Sequence, residues 1–215
     1  MKVAIIGVGK MGQWFTKFFL QEDVTVIVSD KNKQTLSKIE REFGVEVTDN
    51  INAVKTADIV LVCVRIWDGN FEEVIREIHS YVRPDQVIID ICTFKEFPVK
   101  VMHKYIKTGI TLGMHPMFGP DAKSIRNQNL IFTPTSSREV AFAKKFKGWL
   151  EARRARVFIM SPDKHDKLMA RIRALPFFIR FYFIGPIDRR FPQLRGFHYW
   201  IESLCARAFS IVRGF

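Results

Sequence analysis

A short apolar run, Val3–Ile6, passes directly into Gly7-Val8-Gly9-Lys10-Met11-Gly12. The run reads as a strand buried on both faces. Each glycine of the following G-x-G-x-x-G pattern answers a steric demand. The first permits a tight turn, the second lets backbone approach a pyrophosphate, and the third lets helix and strand pack closely. A helix over Gln13–Leu20 and a second apolar strand over Val24–Ser29 complete a βαβ unit, the context that gives the pattern its meaning. The helix start offers N–H groups and a positive dipole end to phosphates. These residues point to a dinucleotide held by Gly7, Gly9, Lys10, Met11 and Gly12. Asp30 ends the second strand eighteen residues after Gly12, where a carboxylate can accept from the ribose 2′-hydroxyl of NAD. Lys31 and Lys33 follow at once; they either offset repulsion of the NADP 2′-phosphate or form a solvated loop. NAD is favoured and NADP stays open.

The alternation continues. Strands are expected at Val45–Val47, Ile59–Val64, Gln86–Ile91, Thr111–Met114, Leu130–Thr133 and Arg156–Met160. Helices are expected at Gln34–Phe43, Phe71–Tyr81, Val99–Lys107 and Val140–Arg153. Strands alternating with helices imply a mostly parallel sheet covered on both faces. The fold class is therefore α/β, a Rossmann-type doubly wound sheet over residues 1–160. A short α-helical dimerisation segment follows over 161–215. Ser161-Pro162 opens a long helix from Asp163 to about Phe183, with Pro176 expected to kink it. Leu168, Met169, Ile172, Leu175 and Ile179 form an apolar face that one helix cannot bury, hence a homodimer. A further helix is placed at Trp200–Val212.

Charge narrows the partners. The net charge is +12, which favours anions such as nucleotides and carboxylic acids. Residues 171–215 hold eight Arg, no Lys and only Asp188 and Glu202 as acids, whereas all seventeen Lys lie before residue 171. This change of texture suggests a shifted reading frame or divergence in the tail. Its basic and aromatic residues could bind nucleic acid or a membrane, but no nucleic-acid motif supports that, and neither partner is expected. The nearest candidate span, Ala174–Ile187, falls short of the roughly 18–20 apolar residues a membrane crossing needs and carries Arg180. Three widely spaced cysteines, Cys63, Cys92 and Cys205, give no zinc or redox motif and suit a reducing cytoplasm. The apolar N-terminus is too short for a signal peptide.

Ligands of open parallel sheets bind beyond the carboxyl ends of the strands. Asp30, Val64 with Arg65, Thr93 with Lys95, and His115 fall at such ends. His115 precedes Pro116, which biases it to extended backbone; it is expected in a loop at a strand end. Beside a nicotinamide, an imidazole can take a hydroxyl proton as hydride leaves the same carbon. Thr93 could fix the tautomer of His115, and Lys95 could stabilise a substrate carboxylate. The plainer readings are a helix cap for Thr93, a surface charge for Lys95 and a loop charge for Arg65. No metal-ligand set accompanies these residues.

Gly113-Met114-His115-Pro116-Met117-Phe118-Gly119-Pro120-Asp121 resembles the signature of prephenate dehydrogenases. Asp90-Ile91-Cys92-Thr93-Phe94-Lys95 resembles that family's Asp-x-x-Ser-x-Lys strand end, with Thr for Ser. The fingerprint with Trp14, and Ser161-Pro162-x-x-His165-Asp166 with Met169-Ala170, fit as well. The resemblance implies NAD(P)-dependent oxidative decarboxylation of prephenate to 4-hydroxyphenylpyruvate in tyrosine biosynthesis, or the same reaction on arogenate. It implies His115 as proton acceptor, supported by Thr93. The family's substrate-contacting histidine is replaced by Phe177, its Gln by Arg173, and its common Pro after Val64 by Arg65. The segment after Ser161 is shorter than the family's helical domain. The alternative is a nucleotide-binding relative without dehydrogenase activity.

Overall fold

The computed structural model describes residues 1–66 and 70–183, with side chains as far as Ile172. The helix expected at Trp200–Val212, and the side chains of Arg173, Phe177, Leu175 and Ile179, lie outside the described residues. The chain divides into two compact units, Met1–His165 and Asp166–Phe215.

The first unit opens with β1 (Lys2–Ile6), α1 (Lys10–Gln21), β2 (Thr25–Ser29), α2 (Lys33–Phe43), β3 (Glu46–Val47) and α3 (Asn50–Thr56). It continues with β4 (Ile59–Val62), α4 (Asn70–Ile78), β5 (Val87–Asp90), α5 (Glu96–Tyr105), β6 (Ile110–Pro116), β7 (Asn129–Thr133), α6 (Ser137–Glu151) and β8 (Arg156–Ile159). Helix α7 (Pro162–Phe183) starts where Ser161-Pro162 places it and runs past Pro176. The strands form one eight-stranded sheet in the order β3-β2-β1-β4-β5-β6-β7-β8. All neighbours are parallel except β6 and β7. The chain reverses its winding direction between β1 and β4, and the carboxyl ends there form the crevice where such sheets take ligands.

Both faces of the sheet are covered, which explains the unbroken Val/Ile runs. On one face α1 and α6 supply Trp14, Phe15, Phe18, Phe19 and Leu150 against Val3, Ile5, Leu61, Ile89 and Phe132. On the other, α3, α4 and α5 supply Val54, Phe71, Ile75, Val99 and Met102 against Ala4, Ile6, Val60 and Ile88.

Two elements differ from the sequence expectation. Helix α3 is not visible as a periodic apolar pattern because it is only seven residues long. Its signal is local: the Asp49 side chain caps it by accepting from the Asn52 amide at 2.8 Å, as an N-cap carboxylate does. The second difference corrects the placement of His115. It lies inside β6, not in a loop after it, because antiparallel β7 pairs His115 with Ile131 and Pro116 with Leu130. Proline is tolerated there because the Met117 amide donates to the Asn129 carbonyl of β7, so the nitrogen of residue 116 faces β5, whose pairing ends at Gly113 and which needs no donor there.

One polar hub ties α6 to the sheet. Ser136 caps α6 by accepting from the Glu139 amide. The Glu139 carboxylate in turn accepts from Thr111 Oγ1 at 2.6 Å, from the Thr135 amide at 2.6 Å, and from Thr135 Oγ1 at 2.8 Å. His103 Nε2 lies 2.9 Å from it. Burial pushes this carboxyl up, but hydrogen bonds from His103, Thr111 and Thr135 outweigh burial and bring it from 4.5 down to about 2. A carboxyl depressed in the folded state adds stability above its unfolded value and loses it as pH falls through the folded one. Wild-type protein should therefore lose on the order of 2 kcal/mol of this hub's contribution between about pH 5 and 2. Glu139→Gln should be less stable at pH 7 and should show a flatter acid limb, read as urea midpoints across that range.

Candidate active site

The glycine turn is built by close contact. Gly7 adopts φ +94°, a left-handed conformation that favours glycine, and a Cβ there would lie 2.9 Å from Val64 Cγ1 and 3.0 Å from the Cys63 carbonyl. A Cβ on Gly12 would meet the Gly7 carbonyl oxygen at 2.0 Å, so α1 can seat on β1 only without one. Gly9 is the opposite case, with nothing within 4 Å of a Cβ, and it is exposed. The first helical hydrogen bond runs from the Gln13 amide to the Gly9 carbonyl. The Lys10, Met11 and Gly12 amides precede it and so have no intrahelical acceptor. Open backbone at Gly9 beside those amides fits a dinucleotide pyrophosphate. Lys10 is exposed, and Met11 packs against the core below.

The flanking positions converge as expected. Val64 abuts Gly7, and Arg65 follows it as an exposed residue beyond β4. Asp30 follows β2, half-buried. Its Oδ2 accepts from the Val8 amide at 2.8 Å and its Oδ1 from the Asn32 amide at 2.8 Å. The first bond holds the glycine loop and the second the turn into α2; a carboxylate has about four acceptor positions, so capacity is left for a ribose hydroxyl. Lys31 turns away to Asn70 Oδ1 at 3.1 Å.

Lys95 is placed differently from its expectation as a substrate contact. Its side chain is 0% exposed and its ammonium forms an ion pair with Asp90. It also donates to the Met114 carbonyl at 2.8 Å. The Asp-x-x-Thr-x-Lys pattern brings this about: Asp90 closes β5, and the loop returns Lys95 over it at the start of α5. Burial pushes the Asp90 carboxyl up while the Lys95 ammonium pulls it back. Its Oδ2 has no hydrogen-bond partner among the described residues. Burial and the Asp90 charge also push the Cys63 and Cys92 thiols up, so neither is a thiolate nucleophile near neutral pH.

His115 stands one residue beyond the carbonyl that Lys95 grips. It is 5% exposed, and its Nδ1 lies 2.9 Å from Nε2 of His165, which is 0% exposed. This corrects the expected partnership with Thr93, which is half-buried on the loop after β5 and makes no hydrogen bond to His115 among the described residues. The contact between His115 and His165 was not legible: fifty positions separate the two rings, and no local pattern pairs them. The sequence marked His165 only through the run Ser161-Pro162-x-x-His165-Asp166; the Ser161 carbonyl accepts from the His165 amide at 3.0 Å. Beyond His115, the loop is docked on the nucleotide helix. Trp14 Nε1 donates to the Ala122 carbonyl at 2.6 Å, and its ring packs on Phe118 at 4.7 Å between centroids.

A family model described as prephenate dehydrogenase, nucleotide-binding domain, matches residues 19–159. The match begins within α1, after the glycine turn. A probable arogenate/prephenate dehydrogenase of Methanocaldococcus jannaschii is 35% identical over 182 residues, which span 83% of this chain and 40% of that relative. A cyclohexadienyl dehydrogenase of Zymomonas mobilis is 29% identical over 202 residues, 86% of this chain and 67% of that relative. Among solved structures, prephenate dehydrogenase from Aquifex aeolicus superposes with a TM-score of 0.71 at 22% identity, covering 85% of this chain and 69% of that one. Synechocystis arogenate dehydrogenase gives 0.70 at 20% identity, covering 90% and 73%. At those identities the superpositions speak for the fold. Among the described residues, no helix is long and apolar enough to cross a membrane.

Two substitutions separate fold from binding at this site. Gly9→Ala should fold with a melting temperature close to wild type yet bind dinucleotide at least tenfold more weakly, whereas Gly12→Ala should fail to fold stably. Isothermal titration and circular dichroism read the two effects. Lys95→Met should cost about 3–5 kcal/mol, because it strands a buried carboxylate. Asp90→Asn combined with Lys95→Met should recover part of that loss in urea unfolding.

Proposed function

The chain belongs to the prephenate dehydrogenase family, and from that premise we propose that it is an NAD-dependent dehydrogenase that oxidatively decarboxylates prephenate or its amino analogue arogenate. The observation that carries this reading is the convergence of the Gly7–Gly12 turn and His115 at the carboxyl ends of parallel strands of one sheet, with β4 and β5 between them. A bound nicotinamide dinucleotide supplies a hydride acceptor.

The chain's own residues do the rest. The Lys10, Met11 and Gly12 amides hold the pyrophosphate, and Gly9 leaves room for it. Val64 and Arg65 border the dinucleotide beside the turn. Asp30 accepts from the adenosine ribose, which favours NAD over NADP because a 2′-phosphate there would face a carboxylate. With its Nδ1 engaged by His165, His115 meets the substrate hydroxyl through Nε2. It takes the proton there as the carbinol carbon becomes electron-poor, and loss of carbon dioxide then aromatises the ring. Thr93, half-buried beside this strand end, contributes by bordering the substrate. Lys95 contributes by gripping the Met114 carbonyl and so holding His115 in place. Residues 1–160 are proposed to form the nucleotide domain and residues 161–215 a separate substrate and dimerisation segment. The protein is proposed to work in the cytoplasm.

A spectrophotometric assay of NADH formation tests the reading. Turnover is expected with prephenate or arogenate, with NAD⁺ preferred to NADP⁺. His115→Gln should lower kcat by about 10²–10⁴-fold, the usual weight of a positioned acid or base, with dinucleotide affinity unchanged. Dinucleotide binding without turnover on either substrate would overturn the dehydrogenase and leave a nucleotide-binding module.

A further inference from the structure

We infer that His165 is the positioning residue that sets the tautomer of His115. The inference rests on the proposed role of His115 as proton acceptor. It begins from the 2.9 Å separation between His115 Nδ1 and His165 Nε2, with the two rings 5% and 0% exposed. Two ring nitrogens at that distance share one proton between them. Without it, two lone pairs would face each other; with two, two N–H groups would collide. Burial also disfavours charging both rings together, since neither charge would have water around it.

One proton can be shared in two ways. In the first, His165 Nε2 carries it and donates to His115 Nδ1. A neutral His115 then carries its own proton on Nε2 and can only donate to a substrate hydroxyl. In the second, His115 Nδ1 carries the proton and donates to His165 Nε2. His115 Nε2 then presents a lone pair and can act as a base. The proposed base role of His115 requires the second arrangement, in which His165 holds its own proton on Nδ1 and accepts at Nε2, because which nitrogen of a ring is protonated is set by the bond the other makes. When the substrate O–H bond breaks and N–H forms on His115 Nε2, the Nδ1–H···Nε2 bond becomes charge-assisted and stronger. The positive charge is then shared by two imidazoles rather than confined to one buried ring.

The backbone supports this fixed pairing from both sides. His115 sits in β6 between the Lys95-bound Met114 carbonyl and the β7 partner Ile131. His165 sits in the first turn of α7, anchored by its amide to the Ser161 carbonyl. Neither ring depends on a mobile loop for its position.

The test is nitrogen-15 NMR of histidine-labelled chain, with resonances assigned by single His→Gln variants. The expected wild-type spectrum has His115 protonated at Nδ1 and bare at Nε2. His165→Leu should shift His115 toward the Nε2-protonated form that free imidazole side chains prefer. In the assay, His165→Leu should lower kcat about tenfold to a hundredfold with KM little changed. His165→Gln, which can present a carbonyl oxygen near the lost Nε2, should recover much of that loss. Should His165→Leu fail to fold, the wild-type spectrum and the Gln variant still decide. A wild-type His115 protonated at Nε2, or an unchanged tautomer and kcat in His165→Leu, would overturn the inference. Absence of turnover in the wild type would instead overturn the dehydrogenase reading and leave the tautomer result standing.

Discussion

Lys95 has no exposed surface, and a buried ammonium survives only with an opposite charge and filled hydrogen bonds around it. Asp90 and the Met114 carbonyl meet that requirement. The consequence reaches beyond the pair. Asp90 closes β5, Met114 stands next to His115 in β6, and Lys95 opens toward α5. One ammonium thus clamps two neighbouring strand ends and the loop between them. The carboxyl edge of the sheet acquires a fixed geometry where its chemistry would occur.

A second set of contacts carries that rigidity to the nucleotide side. Trp14 lies on α1, two residues beyond Gly12, yet its indole donates to Ala122 in the loop after His115. The same ring stacks with Phe18 and packs against Phe118. The helix that would receive the phosphates and the loop after His115 are therefore parts of one packed aromatic body. A shift of α1 on the sheet, such as a side chain at Gly12 would force, would be felt at both ends.

Much of this was legible in the order of residues. The alternation of apolar runs and helical segments specified a doubly wound sheet, because a strand buried on both faces leaves an unbroken Val/Ile signature. The glycine turn was legible because each glycine answers a local steric demand. Elements defined by partners were less so. His115 was expected in a loop because Pro116 and Gly119 punctuate the chain locally; the antiparallel pairing with Ile131 and Leu130 that extends β6 through it comes from a strand thirteen residues or more downstream. Lys95 was expected to face a ligand because a lysine at a strand end ordinarily reaches solvent. Only the fold of the loop after Asp90 turns it inward.

The sequence by itself determined the fold class, through the alternation of apolar runs and helical segments, and the tight turn at Gly7–Gly12, through local steric demands. The tertiary structure alone decided which groups those residues touch. It set a second imidazole, not Thr93, against His115 Nδ1, and it set the Lys95 ammonium against Asp90 and the Met114 carbonyl. The reason is physical: periodicity and turn chemistry act over a few residues, whereas a shared proton or a buried charge is settled by whatever the completed fold brings within 3 Å.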